Sequence, residues 1–84
     1  MYSIQIEENA KKFLKKLNKN EADIILNKIY SIRENPFRFL ERLKGEKLWK
    51  LRIMKFRAEM DVLVSANRII VLTIGHRKNI YDKH

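Results

Sequence analysis

Five residues in the second half of the chain are of types that act on phosphate: Lys50 and Arg52, then Arg57, then Arg77 and Tyr81. A guanidinium keeps its charge at any ordinary pH, and its planar fork bonds two phosphate oxygens at once. A lysine supplies a point charge or, once deprotonated, a base. A phenol among cations can exchange a proton, because the cations favour its phenolate. Such groups together can hold a phosphodiester, neutralise charge that develops on it and move protons at its oxygens without a metal ion. The plain alternative is a solvated strand face followed by a tail, and periodicity alone favours that alternative.

What brings these residues together is strand alternation. Trp49, Leu51 and Ile53 alternate with Lys50 and Arg52, whereas Phe56, Ala58, Met60, Val62 and Val64 alternate with Arg57, Glu59, Asp61 and Leu63. Residues 68 to 74 are β-branched and apolar, which makes a third strand. If the apolar sets face a core, then Lys50, Arg52, Arg57, Glu59 and Asp61 face away from it, and the exposed face of the sheet is cationic. Met54-Lys55 and Ala66-Asn67 stand where tight turns would join these strands into an antiparallel meander.

The first half supplies the cover. Tyr2, Ile4 and Ile6 alternate with Ser3 and Gln5 as a first strand. From Glu8 to Asn18, Ala10, Phe13, Leu14 and Leu17 fall at i, i+3, i+4 and i+7, with Lys11, Lys12, Lys15 and Lys16 on the other side. Asn20 reads as the N-cap of a second helix, with Glu21 and Asp23 in its first turn and Ala22, Ile25, Leu26, Ile29 and Ile32 at helical spacing. That helix ends near Asn35, because Pro36 disfavours helical geometry in the residue before it. The short Lys19 to Asn20 link folds the two helices into a hairpin. The order β-α-α-β-β-β predicts one α+β domain over residues 1–84, with the hairpin packed on one face of an antiparallel four-stranded sheet. No repeat, low-complexity tract or linker interrupts it.

Composition narrows the partners. Nineteen Lys and Arg against ten Asp and Glu give a net charge of +9, which attracts a polyanion without specifying a sequence. With no cysteine the chain has neither a disulfide nor a thiolate metal site, and a reducing cytoplasm suits it. The alternating first residues form neither a signal peptide nor a membrane span, so cytoplasmic residence without membrane association is expected. His76 and His84 stand without cysteine or carboxylate companions, so no metal is expected.

The run Arg42-Leu43-Lys44-Gly45, then Leu48-Trp49-Lys50-Leu51-Arg52-Ile53, then Lys55-Phe56-Arg57, and finally Ile74-Gly75-His76-Arg77-Lys78-Asn79-Ile80-Tyr81 resembles the RelE/ParE toxin superfamily in order and spacing. The resemblance covers nearly the whole chain, since that family also begins with a strand and a helical hairpin. It implies a toxin of a type II toxin-antitoxin pair, of the RelE-like branch that cuts messenger RNA on the ribosome. The implied catalytic set is Lys50, Arg52, Arg57, Arg77 and Tyr81, working without a cofactor; the implied RNA-binding set is Lys11, Lys12, Lys15, Lys16 and Lys44. The implied partners are a cognate acidic, RelB-like antitoxin, the ribosome and messenger RNA. Some relatives place a catalytic histidine before the final tyrosine, where this chain has Ile80, and the family often has glycine where Met54 stands. Glu41 resembles a glutamate base of one branch, although its plain reading is a loop carboxylate. Trp49 has the parity of a core residue. Two other readings stay open: a ParE-like inhibitor of DNA gyrase, and a non-catalytic basic nucleic-acid-binding module.

Overall fold

The computed structural model describes residues 1–77. Its elements are β1 (Ser3–Ile6), α1 (Glu8–Lys16), α2 (Lys19–Ser31), a single 3-10 turn at Pro36–Arg38, β2 (Glu41–Arg42), β3 (Trp49–Ile53), β4 (Phe56–Leu63) and β5 (Arg68–His76). All strands join one five-stranded sheet in the order β1-β5-β4-β3-β2.

The meander β3-β4-β5 is antiparallel, as the alternation predicts. Two features differ from the expected sheet while leaving the α+β class intact. Glu41 and Arg42 add a short antiparallel strand opposite Lys50 and Trp49, too brief to show any period. β1 pairs with β5 in parallel, Ser3 beside Arg68 and Ile6 beside Val71, so the sheet is mixed. A parallel neighbour needs a crossover connection, and the helical hairpin between β1 and the meander provides it.

The helices cover one face. Ala10 of α1 and Ile25, Ile29 and Ile32 of α2 and its C-cap are buried against Leu51, Ile53, Phe56, Ala58, Met60, Ile69, Val71 and Ile74. Phe13, Leu14 and Leu17 pack on the same core at its edge. Asn18, rather than Asn20, caps α2: its side chain accepts from the Glu21 backbone N–H at 2.8 Å and donates to the Glu21 carboxylate at 3.1 Å. The first bond satisfies one of the donors that every helix start leaves open, and the second holds the capping side chain in place. α2 stops at Ser31, short of the expected end, and Pro36 instead opens the 3-10 turn.

Both hairpin turns use the left-handed region, at Met54 (φ 55°) and at Asn67 (φ 55°). Asparagine tolerates that region; methionine has no such adaptation. Asn67 also ties down the N-terminus, donating from its side chain to the Met1 carbonyl at 2.8 Å. No helix among the described residues is long and apolar enough to cross a membrane.

Candidate active site

Directly opposed residues in a ladder share a face, so the register lays out the side of the sheet away from the helices as rows. One row reads Glu41, Lys50, Glu59, Thr73 across β2, β3, β4 and β5. The next reads Arg52, Arg57, Gly75 across β3, β4 and β5. Arg77 follows Gly75 with the same parity. Its backbone N–H donates to the Lys55 carbonyl at 2.9 Å and its guanidinium to the Met54 carbonyl at 3.4 Å, which holds it beside the β3-β4 turn. The Arg77 Nε is buried and has no hydrogen-bond partner among the described residues.

Like charges set directly opposite each other, as Arg52 and Arg57 are, repel. Carboxylates in the adjoining row relieve this. Glu59 accepts from Arg57 Nη2 at 2.8 Å and from the Thr73 hydroxyl at 3.3 Å. Glu41 lies 3.8 Å from Lys50 Nζ and 3.9 Å from Arg52 Nε. The two acids differ in kind. Glu59 is 20 % exposed against an arginine only 3 % exposed, whereas Glu41 is 58 % exposed and its contacts are long. An exposed pair of that sort contributes about 0 to 1 kcal/mol, but a buried charge cannot stay in place without its partner.

Of the residues expected to do chemistry, Lys50, Arg52 and Arg57 are therefore brought together, and Arg77 adjoins them. Tyr81 lies outside the described residues. Arg57 corrects one expectation: it belongs to the cationic face but is buried rather than exposed, set between Arg52 and Gly75 in its row and against the Glu59 carboxylate. Lys11, Lys12, Lys15 and Lys16 are all exposed on α1, on the helix-covered side, and do not join the sheet cations. Lys44 is exposed in the loop between β2 and β3, at the sheet edge.

Other sequence candidates sort themselves by face. His76 meets the Phe13 ring edge-on and the Phe56 ring at a tilt, with ring centroids 5.6 and 5.1 Å away, on the core side. Trp49 packs partly against the core and meets the Phe37 ring edge-on at 5.0 Å, with the Arg42 guanidinium 5.0 Å over its ring. Glu59 and Thr73 were not singled out from sequence as site residues. The available signal was that a central-strand arginine must find a carboxylate, and Glu59 has the right parity. Among the described residues no group of three His, Cys, Asp or Glu is placed to hold a metal.

The arrangement can bind an anion: fixed guanidinium and ammonium groups from two strands, with a third guanidinium at the mouth of the neighbouring turn, face one side of a rigid sheet. Two helices packed against one face of a mixed sheet form the fold of RelE toxins as well. The chain superposes on RelE in the intact Escherichia coli RelBE toxin-antitoxin complex with a TM-score of 0.77 at 20 % identity, covering 90 % of this chain and 96 % of that one. For the Mycobacterium tuberculosis RelBE2 complex the TM-score is 0.83 at 18 % identity, with 90 % and 91 % covered. For the RelE-RelB complex of Pyrococcus horikoshii it is 0.77 at 22 % identity, with 90 % and 94 % covered. No curated protein matches the chain by sequence. The family model described as the ParE toxin of the type II toxin-antitoxin system parDE matches residues 4–81. The chain belongs to that family, within the RelE/ParE superfamily.

Proposed function

We propose that this toxin is a metal-independent endoribonuclease that cuts messenger RNA on the ribosome and is held inactive by an acidic, RelB-like antitoxin in the cytoplasm. The observation that carries the reading is the cation row, Arg52 in register with Arg57, with Lys50 beside it and Arg77 at the adjoining turn. In the reaction the 2′-hydroxyl attacks the adjacent phosphorus as the bond to the 5′-oxygen breaks. One proton must leave the nucleophile and another must reach the leaving oxygen. Arg57 and Arg77 neutralise the oxygens of the phosphorane, Arg52 and Lys50 hold the flanking backbone, and Lys50 can also serve as base. Tyr81 exchanges a proton through its hydroxyl or stacks on a displaced base. The ribosome supplies the substrate's geometry, and the α1 lysines and Lys44 grip ribosomal RNA.

A second reading is favoured by the matched family itself, which bears the name of ParE: inhibition of DNA gyrase without catalysis. One experiment separates the two. Purified protein is added to a translation reaction, and new 5′ ends of the message are mapped with and without ribosomes. Cleavage that requires ribosomes is the expected result; intact messages together with inhibited gyrase supercoiling would establish the second reading. The antitoxin pairing rests on the +9 charge and on the RelE-RelB complexes of the structural relatives. Release of the toxin from its antitoxin should become easier as salt rises.

A further inference from the structure

Arg57 poses a question that the proposed chemistry does not answer. A guanidinium on the central strand, 3 % exposed, must be paired to remain charged there. Yet it must also present itself to a phosphate that arrives only with substrate. A long side chain free to choose among rotamers would lose that entropy on each encounter, and donors work on a developing oxyanion only if they are already aimed.

Among the described residues, Glu59 is placed to do the aiming. Glu59 stands two residues along the same strand, on the same face, in the row between Lys50 and Thr73. One of its oxygens accepts from Arg57 Nη2 at 2.8 Å, and the other accepts from the Thr73 hydroxyl at 3.3 Å. The carboxylate is thus held from β5 while it holds the guanidinium on β4. We infer that Glu59, fixed by Thr73, is a positioning residue that sets the orientation in which Arg57 meets the substrate phosphate. The inference rests on the nuclease reading above. A competing role, in which Glu59 screens the site and must swing away before phosphate binds, fits this geometry poorly, because both oxygens are engaged and the group is mostly covered. Glu41, exposed and distant from its partners, has the features of a screening acid; Glu59 has those of a clamp.

The test uses the full chain and the variants Glu59→Gln and Thr73→Val, each close in shape to the native residue. Rotation of the Arg57 guanidinium is followed by nitrogen-15 NMR, and single-turnover cleavage and affinity are measured on programmed ribosomes. In the wild type the Arg57 rotation is slow. Glu59→Gln speeds it and lowers the cleavage rate by about a hundredfold, the scale of a misplaced reacting group, while ribosome affinity stays within about threefold, since the variant leaves the outer cations untouched. Thr73→Val leaves both charges in place and gives a smaller loss in the same direction, which separates lost aim from lost folding. Unchanged Arg57 rotation in Glu59→Gln, or cleavage as fast as or faster than wild type, overturns the inference. If wild-type protein leaves messages intact, the nuclease reading falls and with it the role toward phosphate, whereas slow rotation abolished by Glu59→Gln still establishes the clamp.

Discussion

The molecule carries positive charge in two regions that are built by different means. On α1, Lys11, Lys12, Lys15 and Lys16 stand exposed on one helix, and Lys11 lies 3.8 Å from Glu8 in a solvent-screened pair. On the sheet, Lys50, Arg52 and Arg57 come from two strands, are fixed by register, and each lies against a carboxylate. The helix achieves charge density with nothing more than a local repeat. The sheet achieves aim, which needs long-range pairing and buried counter-charges. Flexible lysines on a helix suit a diffuse polyanion; clamped arginines suit one particular phosphate.

If that contrast is right, mutations in the two regions should fail in different ways. The largest effect belongs to Arg77→Ala, which removes a donor aimed from the β3-β4 turn. Single-turnover cleavage on programmed ribosomes should fall by about a hundredfold to a thousandfold, by analogy with the loss of one oxyanion-hole donor, with ribosome binding retained and growth unaffected by expression. Replacing Lys11, Lys12, Lys15 and Lys16 together by Gln should do the reverse. Binding should weaken, and the slope of log affinity against log salt should drop by up to about 3, while cleavage at saturating ribosomes changes less than about threefold. Equal loss of cleavage in both variants would erase the distinction between the regions.

Two smaller effects sharpen it. Met54→Gly removes a left-handed methionine at the turn whose carbonyl receives Arg77. Relief of strain, less the entropy a glycine loses on folding, should stabilise the protein by about 0.5 to 1 kcal/mol, seen as a rise of a few degrees in Tm. The backbone carbonyl survives, so cleavage should persist. Glu41→Gln should change stability by less than about 0.5 kcal/mol in denaturant titration, because its long, exposed ion pairs contribute little. A cost above 2 kcal/mol would mean that Glu41 is as structural as Glu59.

Much of this was legible in the chain because its signals are local. The alternation of Trp49, Leu51 and Ile53 with Lys50 and Arg52 assigned faces correctly, and so did the run from Phe56 to Val62. The α1 pattern separated Ala10 from the lysines without error. Depth was another matter. Parity says which way Arg57 points but not how deeply it sits, which depends on the neighbours that register brings in from the adjoining strands. The same gap hid the Glu59-Thr73 contact, since β5 must first be laid beside β4 in register. Asn18 and Asn20 both precede acidic residues by three positions; the winner was the one whose Glu21 could return the hydrogen bond. Tyr81 enters the expected site through the family resemblance alone and lies outside the described residues.

The parallel pairing of β1 with β5 joins the start of the chain to its last described strand, Ser3 lying beside Arg68. Closing so long a loop must precede any reward from the pairing, which makes the topology slow to form. Synthesis proceeds from the N-terminus, so the helical hairpin can be complete while β5, which supplies Thr73 and leads into Arg77, has not yet been made. An unfinished chain then has neither a closed sheet nor an assembled site. For a protein whose proposed target is the machine that makes it, the order of the strands is itself a safeguard: the toxin acquires its weapon last.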